Sequence, residues 1–73
     1  MDNSSEPLVL EASHDGRRFV IEEDKAAGFY IYVFDGECCT HDHLQDTPEL
    51  AKQFAREEFG VPEDAWHEAT SAA

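Results

Sequence analysis

A chain of 73 residues with 17 acidic and five basic side chains carries a formal charge of −12 and a pI near 4.3. The resulting field repels phosphate backbones and anionic lipid headgroups, so nucleic acid and membrane are poor direct partners. A folded body of this length buries roughly 60–65% of its extended-chain surface, which allows one small core and a net stability of about 4–7 kcal/mol.

Nine of the apolar residues are alanines, so the five Phe, two Tyr and Trp66 must supply much of the burial. Cys38 and Cys39 are neighbours. A bond between them would close almost no loop, and reduced thiols are expected. No apolar run approaches the roughly 20 residues of a bilayer span. Met1 is followed by Asp2, Asn3 and Ser4, where an export signal needs basic and then apolar residues. These features predict a cytoplasmic protein.

Residues 7–68 read as a single small α+β domain, with 1–6 and 69–73 as flexible termini. Leu8, Leu10 and Ala12 alternate with Glu11 and Ser13 up to Asp15-Gly16. That dipeptide suits a type I′ hairpin turn, in which both central residues need positive φ. A two-residue loop then sets His14 opposite Arg17, Ala12 opposite Phe19 and Leu10 opposite Ile21, which brings the apolar faces together. Glu11 falls opposite Val20 and within diagonal reach of Arg18.

A longer turn is predicted at Asp24-Lys25-Ala26-Ala27-Gly28, followed by a third strand over Phe29 to Phe34. That strand has no charge on either face, so it is covered on both sides or central. Phe29, Ile31 and Val33 form one face, and Tyr30, Tyr32 and Phe34 the other. Which face meets the helix depends on the length of the preceding turn; the face away from it is expected to be shielded by the segment around Trp66, or else to serve as a binding surface or homodimer seam.

Residues 35–46 read as polar and irregular. Thr47 is then a good N-cap, Pro48 fits the first helical position, and Glu49 complements the helix dipole. Leu50, Ala51, Phe54, Ala55 and Phe59 share one stripe, with Lys52, Gln53, Arg56 and Glu57 turned outward. Gly60 ends the helix, Val61 can fold back on it, and Pro62 prevents continuation. The predicted architecture is a three-stranded antiparallel meander followed by one helix packed on the sheet (βββα), with a short C-terminal turn or strand anchored by Trp66.

The runs Phe19-Val20-Ile21-Glu22-Glu23-Asp24, Gly28-Phe29-Tyr30-Ile31-Tyr32-Val33, Cys39-Thr40 and Asp46-Thr47-Pro48-Glu49-Leu50-Ala51 together resemble the HicB-like antitoxin domain. The resemblance covers about two thirds of the chain. It implies a partial ribonuclease-H-like sheet with a helix, in a protein that binds and blocks a partner and does not itself bind an operator.

The densest set of reactive side chains is Cys38, Cys39, His41 and His43, with Asp42 between the histidines. Sulfur and imidazole suit zinc or copper, and His41 and His43 point the same way in an extended stretch. Adjacent cysteines point apart, and structural zinc sites normally draw ligands from two segments. A solvated loop is the competing expectation, and no cofactor is predicted. A thiol nucleophile activated by the same histidines lacks an orienting third group, so an enzyme is not expected.

From Asp35 to Glu68 the chain holds ten acids, with only Lys52 and Arg56 as bases. Such a field favours encounter with a basic protein and also keeps a small protein soluble. The expected function is therefore an acidic binding protein, monomeric or homodimeric, that engages a basic protein partner. Asp46, Glu49, Gln53 and Glu57 are its candidate polar contacts, and Tyr30 and Tyr32 its aromatic anchors.

Overall fold

The computed structural model describes residues 7–69 and contains a five-stranded antiparallel sheet and one α-helix. The strands are β1 (Val9–His14), β2 (Arg17–Asp24), β3 (Gly28–Asp35), β4 (Cys38–Gln45) and β5 (His67–Glu68). Helix α1 (Pro48–Phe59) lies between β4 and a short 3-10 turn over Glu63–Ala65. The sheet order is β4-β3-β2-β1-β5.

The first hairpin forms as its sequence dictates. Asp15 and Gly16 take φ of 54° and 79°, and Leu10, Ala12 and His14 pair with Ile21, Phe19 and Arg17. Arg18 reaches diagonally to Glu11, with Nη1 2.7 Å from Oε2. The next turn is held by Asp24 Oδ1, which accepts from the N–H groups of Ala26 and Ala27. Gly28 sits at φ 133°, and a Cβ there would lie 2.5 Å from the Gln45 carbonyl oxygen. Only glycine lets β3 start so close to the end of β4.

The three-strand βββα expectation is corrected by β4 and β5. Residues 38–45, expected to be irregular, pair with β3 along their whole length, from Asp35↔Cys38 to Phe29↔Gln45. Their polarity misleads because β4 is an outer strand with seven of its eight residues exposed, so pairing with β3 rather than burial organises it. A bulge at Thr40 shifts the register between Val33 and Phe34. At the opposite edge the terminal segment adds β5, which pairs with β1 through Leu10↔Glu68 and Glu11↔His67. The Ala69 N–H donates to Val9 O at 2.8 Å, so Ala69 is tied to the sheet rather than frayed. The other residues expected to be flexible lie outside the described ones.

The alternation of side chains divides the sheet into two unlike faces. On one face Leu10, Ile21 and Ile31 form a row with His43, and Ala12, Phe19 and Val33 form a row with His41. Helix α1 covers this face, and Phe19, Ile21, Ile31, Val33, Ala51 and Ala55 are 0% exposed. Ala51 and Ala55 let the helix backbone approach closely, while Phe54 and Phe59 close its flanks against His43 and His41. Thr47 Oγ1 caps the helix by accepting from Leu50 N at 3.1 Å, and Gly60 ends it at φ 77°. Leu50, assigned to the buried stripe, is instead 42% exposed.

Trp66 also departs from expectation. It packs on the helix side, its ring 6.5 Å from that of Phe19, and so does not shield the Tyr30 face. Its indole N–H is buried without a hydrogen-bond partner among the described residues.

Candidate functional site

The face opposite the helix is the most distinctive surface. Three cross-strand rows run over it: Val9, Glu22, Tyr30 and Leu44; Glu11, Val20, Tyr32 and Asp42; Ser13, Arg18, Phe34 and Cys39. Tyr30, Tyr32 and Phe34 point to it because β3 alternates, with Ile31 and Val33 committed to the core. None of the three aromatics is fully buried. The rings of Tyr30 and Tyr32 are stacked at 6.0 Å and 20°.

Carboxylates stand among these rings. Glu22 is opposite Tyr30, and Asp42 is opposite Tyr32 on β4. Desolvation pushes the Tyr32 phenol above its ordinary value of 10.0, and Glu22, Tyr30, Asp42 and Cys39 push in the same direction. Arg18 lies over the Phe34 ring at 4.6 Å while it bonds Glu11 at 2.7 Å. The face thus already holds one guanidinium between an aromatic plane and a carboxylate, the arrangement in which arginine is bound best. An open depression of about 370 Å³ at the hairpin end is lined by Ser13, Gly16, Arg17, Arg18, Phe34 and Gly36. Both of its arginines are engaged, Arg18 as above and Arg17 over Phe59 at 5.7 Å.

The candidate contacts divide between two surfaces. Tyr30 and Tyr32 lie on the open face, whereas Glu49, Gln53 and Glu57 are exposed on the helix, across the sheet from them. Gln53 Nε2 donates to Glu57 Oε2 at 3.0 Å, and Asp46 is exposed between β4 and the helix. A flat partner meets one group or the other. The residues of this face that were not named among the candidate contacts are Phe34, Arg18, Glu11, Glu22 and Asp42. Their common face follows from the strand register, which the first hairpin already fixes for Glu11 and Arg18.

The Cys and His set also divides. His41 and His43 stack at 6.3 Å on the helix side, each against a phenylalanine ring. Thr40 Oγ1 donates to Val33 O at 3.2 Å and lies 3.0 Å from His41 Nδ1. With its proton directed to Val33, the hydroxyl accepts from Nδ1–H and fixes that tautomer. Cys39 pairs with Phe34 on the other face, and its Sγ donates to His41 O at 3.5 Å. Both thiols are free and exposed. Among the described residues no three His, Cys, Asp or Glu side chains converge to hold a metal ion.

No described helix is long and apolar enough to cross a membrane. Compared with protein-family models, curated proteins and solved structures, the chain shows no significant match.

Proposed function

We propose that this is a small acidic binding protein that engages a basic protein partner through the open face of its sheet. The observation that carries this reading is the half-exposed Tyr30 and Tyr32 pair, over which no described element packs, with Glu22 and Asp42 beside it. Aromatic planes provide contact area at little entropic cost, and neighbouring carboxylates favour arginine and lysine over neutral side chains. The net charge of −12 adds long-range attraction to a cationic surface and opposes face-to-face pairing of two copies. An antagonist role of the antitoxin kind is the more specific form of this proposal, and it rests on the sequence resemblance alone.

The test compares affinity capture from the native host by the wild-type protein and by the Tyr30→Ala/Tyr32→Ala variant, followed by titration calorimetry with the purified partner. The expected partner is basic, is lost with the double variant, and binds less tightly as salt rises. Capture of only neutral or acidic proteins, or capture indifferent to the two tyrosines, would sink the proposal.

A further inference from the structure

The two edges of the sheet are unequal. β5 is two residues long, whereas β4 is eight and, among the described residues, bonds only to β3. An outer strand is ordinarily blunted by shortness, by lysine or proline, or by a bulge. β4 has no lysine and no proline, and its bulge at Thr40 leaves His41 to Gln45 regularly paired. Its outward N–H and C=O groups form a row open to another strand.

The walls beside that row have a definite chemistry. Above it, Phe54 meets His43 with ring centroids 4.4 Å apart, so the helix stripe Leu50, Phe54 and Glu57, at i, i+4 and i+7, lies over β4. Leu50 on this stripe is 42% exposed, and Leu44 on the opposite side of β4 is 47% exposed. They are the two large hydrophobic side chains left most open among the described residues, one on the helix stripe that carries Phe54 and one on β4 itself. From residue 26 to residue 51 the chain has no Lys or Arg but contains Asp35, Glu37, Asp42, Asp46 and Glu49.

We infer that the outer edge of β4 takes up an extended basic segment of the partner as a sixth strand. This deepens the reading of a basic partner and rests on it. Main-chain hydrogen bonds would give affinity, and alternate side chains would give selectivity. Apolar positions of the segment meet Leu50 or Leu44, and its cationic positions meet Asp42, Asp46 and Glu57. Charge decides against a second copy as occupant, because two chains each at −12 repel along an edge that offers no basic side chain.

The probe is an eight-residue, end-blocked peptide alternating Lys and Val, with a Glu and Val peptide as comparator. Amide exchange by NMR is expected to show new protection at alternate residues of His41 to Gln45 with the Lys peptide and none with the Glu peptide. Absence of that protection, or equal protection by both peptides, overturns the inference. Alternate residues of an edge strand donate inward and outward, so of Asp42→Pro and His43→Pro one variant keeps the fold. That folded variant should bind the Lys peptide at least about tenfold more weakly, a loss of about 1.4 kcal/mol; unchanged binding overturns the inference.

Tyr30→Ala/Tyr32→Ala separates the two readings, because it should weaken the partner and leave the peptide untouched. A β4 edge without protection, in a protein whose partner binding still depends on those tyrosines, removes the edge and keeps the open face. A dimer in sedimentation whose β4 amides are protected without peptide assigns the edge to a second copy and overturns the inference.

Discussion

The His43 imidazole lies against the Phe54 ring, with centroids 4.4 Å apart and planes inclined by 46°. It joins the outermost strand to the helix, as His41 does against Phe59 at 5.3 Å. In a double-mutant cycle with Phe54→Ala and His43→Ala, the coupling energy should be about 0.5–1.5 kcal/mol by urea unfolding. Coupling near zero would mean that this contact does not help to hold β4, leaving its pairing with β3 and the contact of His41 with Phe59.

Leu50 and Ile31 should respond very differently to truncation. Ile31 is 0% exposed between the sheet and the helix, so Ile31→Ala should cost about 2–5 kcal/mol, most of the stability of so small a protein. Leu50 is 42% exposed, and Leu50→Ala should cost less than about 1 kcal/mol. Equal losses in denaturant unfolding would show that Leu50 is covered in solution.

Gly28→Ala should destabilise by about 1–3 kcal/mol or more, from positive φ and from contact with backbone that cannot swing away. The new Cβ would meet the Gln45 carbonyl oxygen at 2.5 Å. The damage should appear first as faster amide exchange at the Gln45 end of β4.

Tyr32 should titrate above 10.0 in the folded protein, as followed by tyrosinate absorbance and its loss in Tyr32→Phe. The folded state holds this proton more tightly than the unfolded chain does. The stabilising contribution is therefore complete below pH 10 and lost as pH rises through the higher folded value. Burial of the ring is the main cause, with Glu22 next, so Glu22→Gln should lower the titration only in part.

The melting temperature should rise between low and physiological ionic strength. Among the described residues only two ion pairs of permanent charge form, Arg18 with Glu11 at 2.7 Å and Arg56 with Glu63 at 3.8 Å, while His67 lies 3.8 Å from Glu11 and pairs with it only when protonated. Most carboxylates therefore repel one another without compensation, and salt screens that repulsion. A melting temperature independent of salt would contradict this balance.

The first hairpin, the apolar β3 and the capped helix were legible because their signals are local. Asp15-Gly16 sets a register, β3 has no charge, and Thr47-Pro48 opens a helix that Gly60 closes. β4 was concealed by its composition, yet two signs pointed to it. A strand apolar on both faces implies a neighbour on each side, and Asp35-Gly36 precedes β4 as Asp15-Gly16 precedes β2. The second turn differs in placing Gly36, at φ 64°, first of its two central residues, which suits a type II′ hairpin.

The binding surface followed the same division. Tyr30, Tyr32 and Phe34 share a face by alternation alone, a two-residue period inherent in any strand. Which of the two β3 faces the helix would cover depended on how the chain crosses over after β4, and Trp66 joined the helix side with it. Charge, hairpin register and helix limits were readable from the chain alone, because neighbouring residues set them. It took packing across the fold to establish that β4 and β5 complete the sheet, that no described element covers the tyrosines, and that the helix acids lie across the sheet from them. Those outcomes depend on pairing and packing between residues far apart in sequence, where no local pattern carries the information.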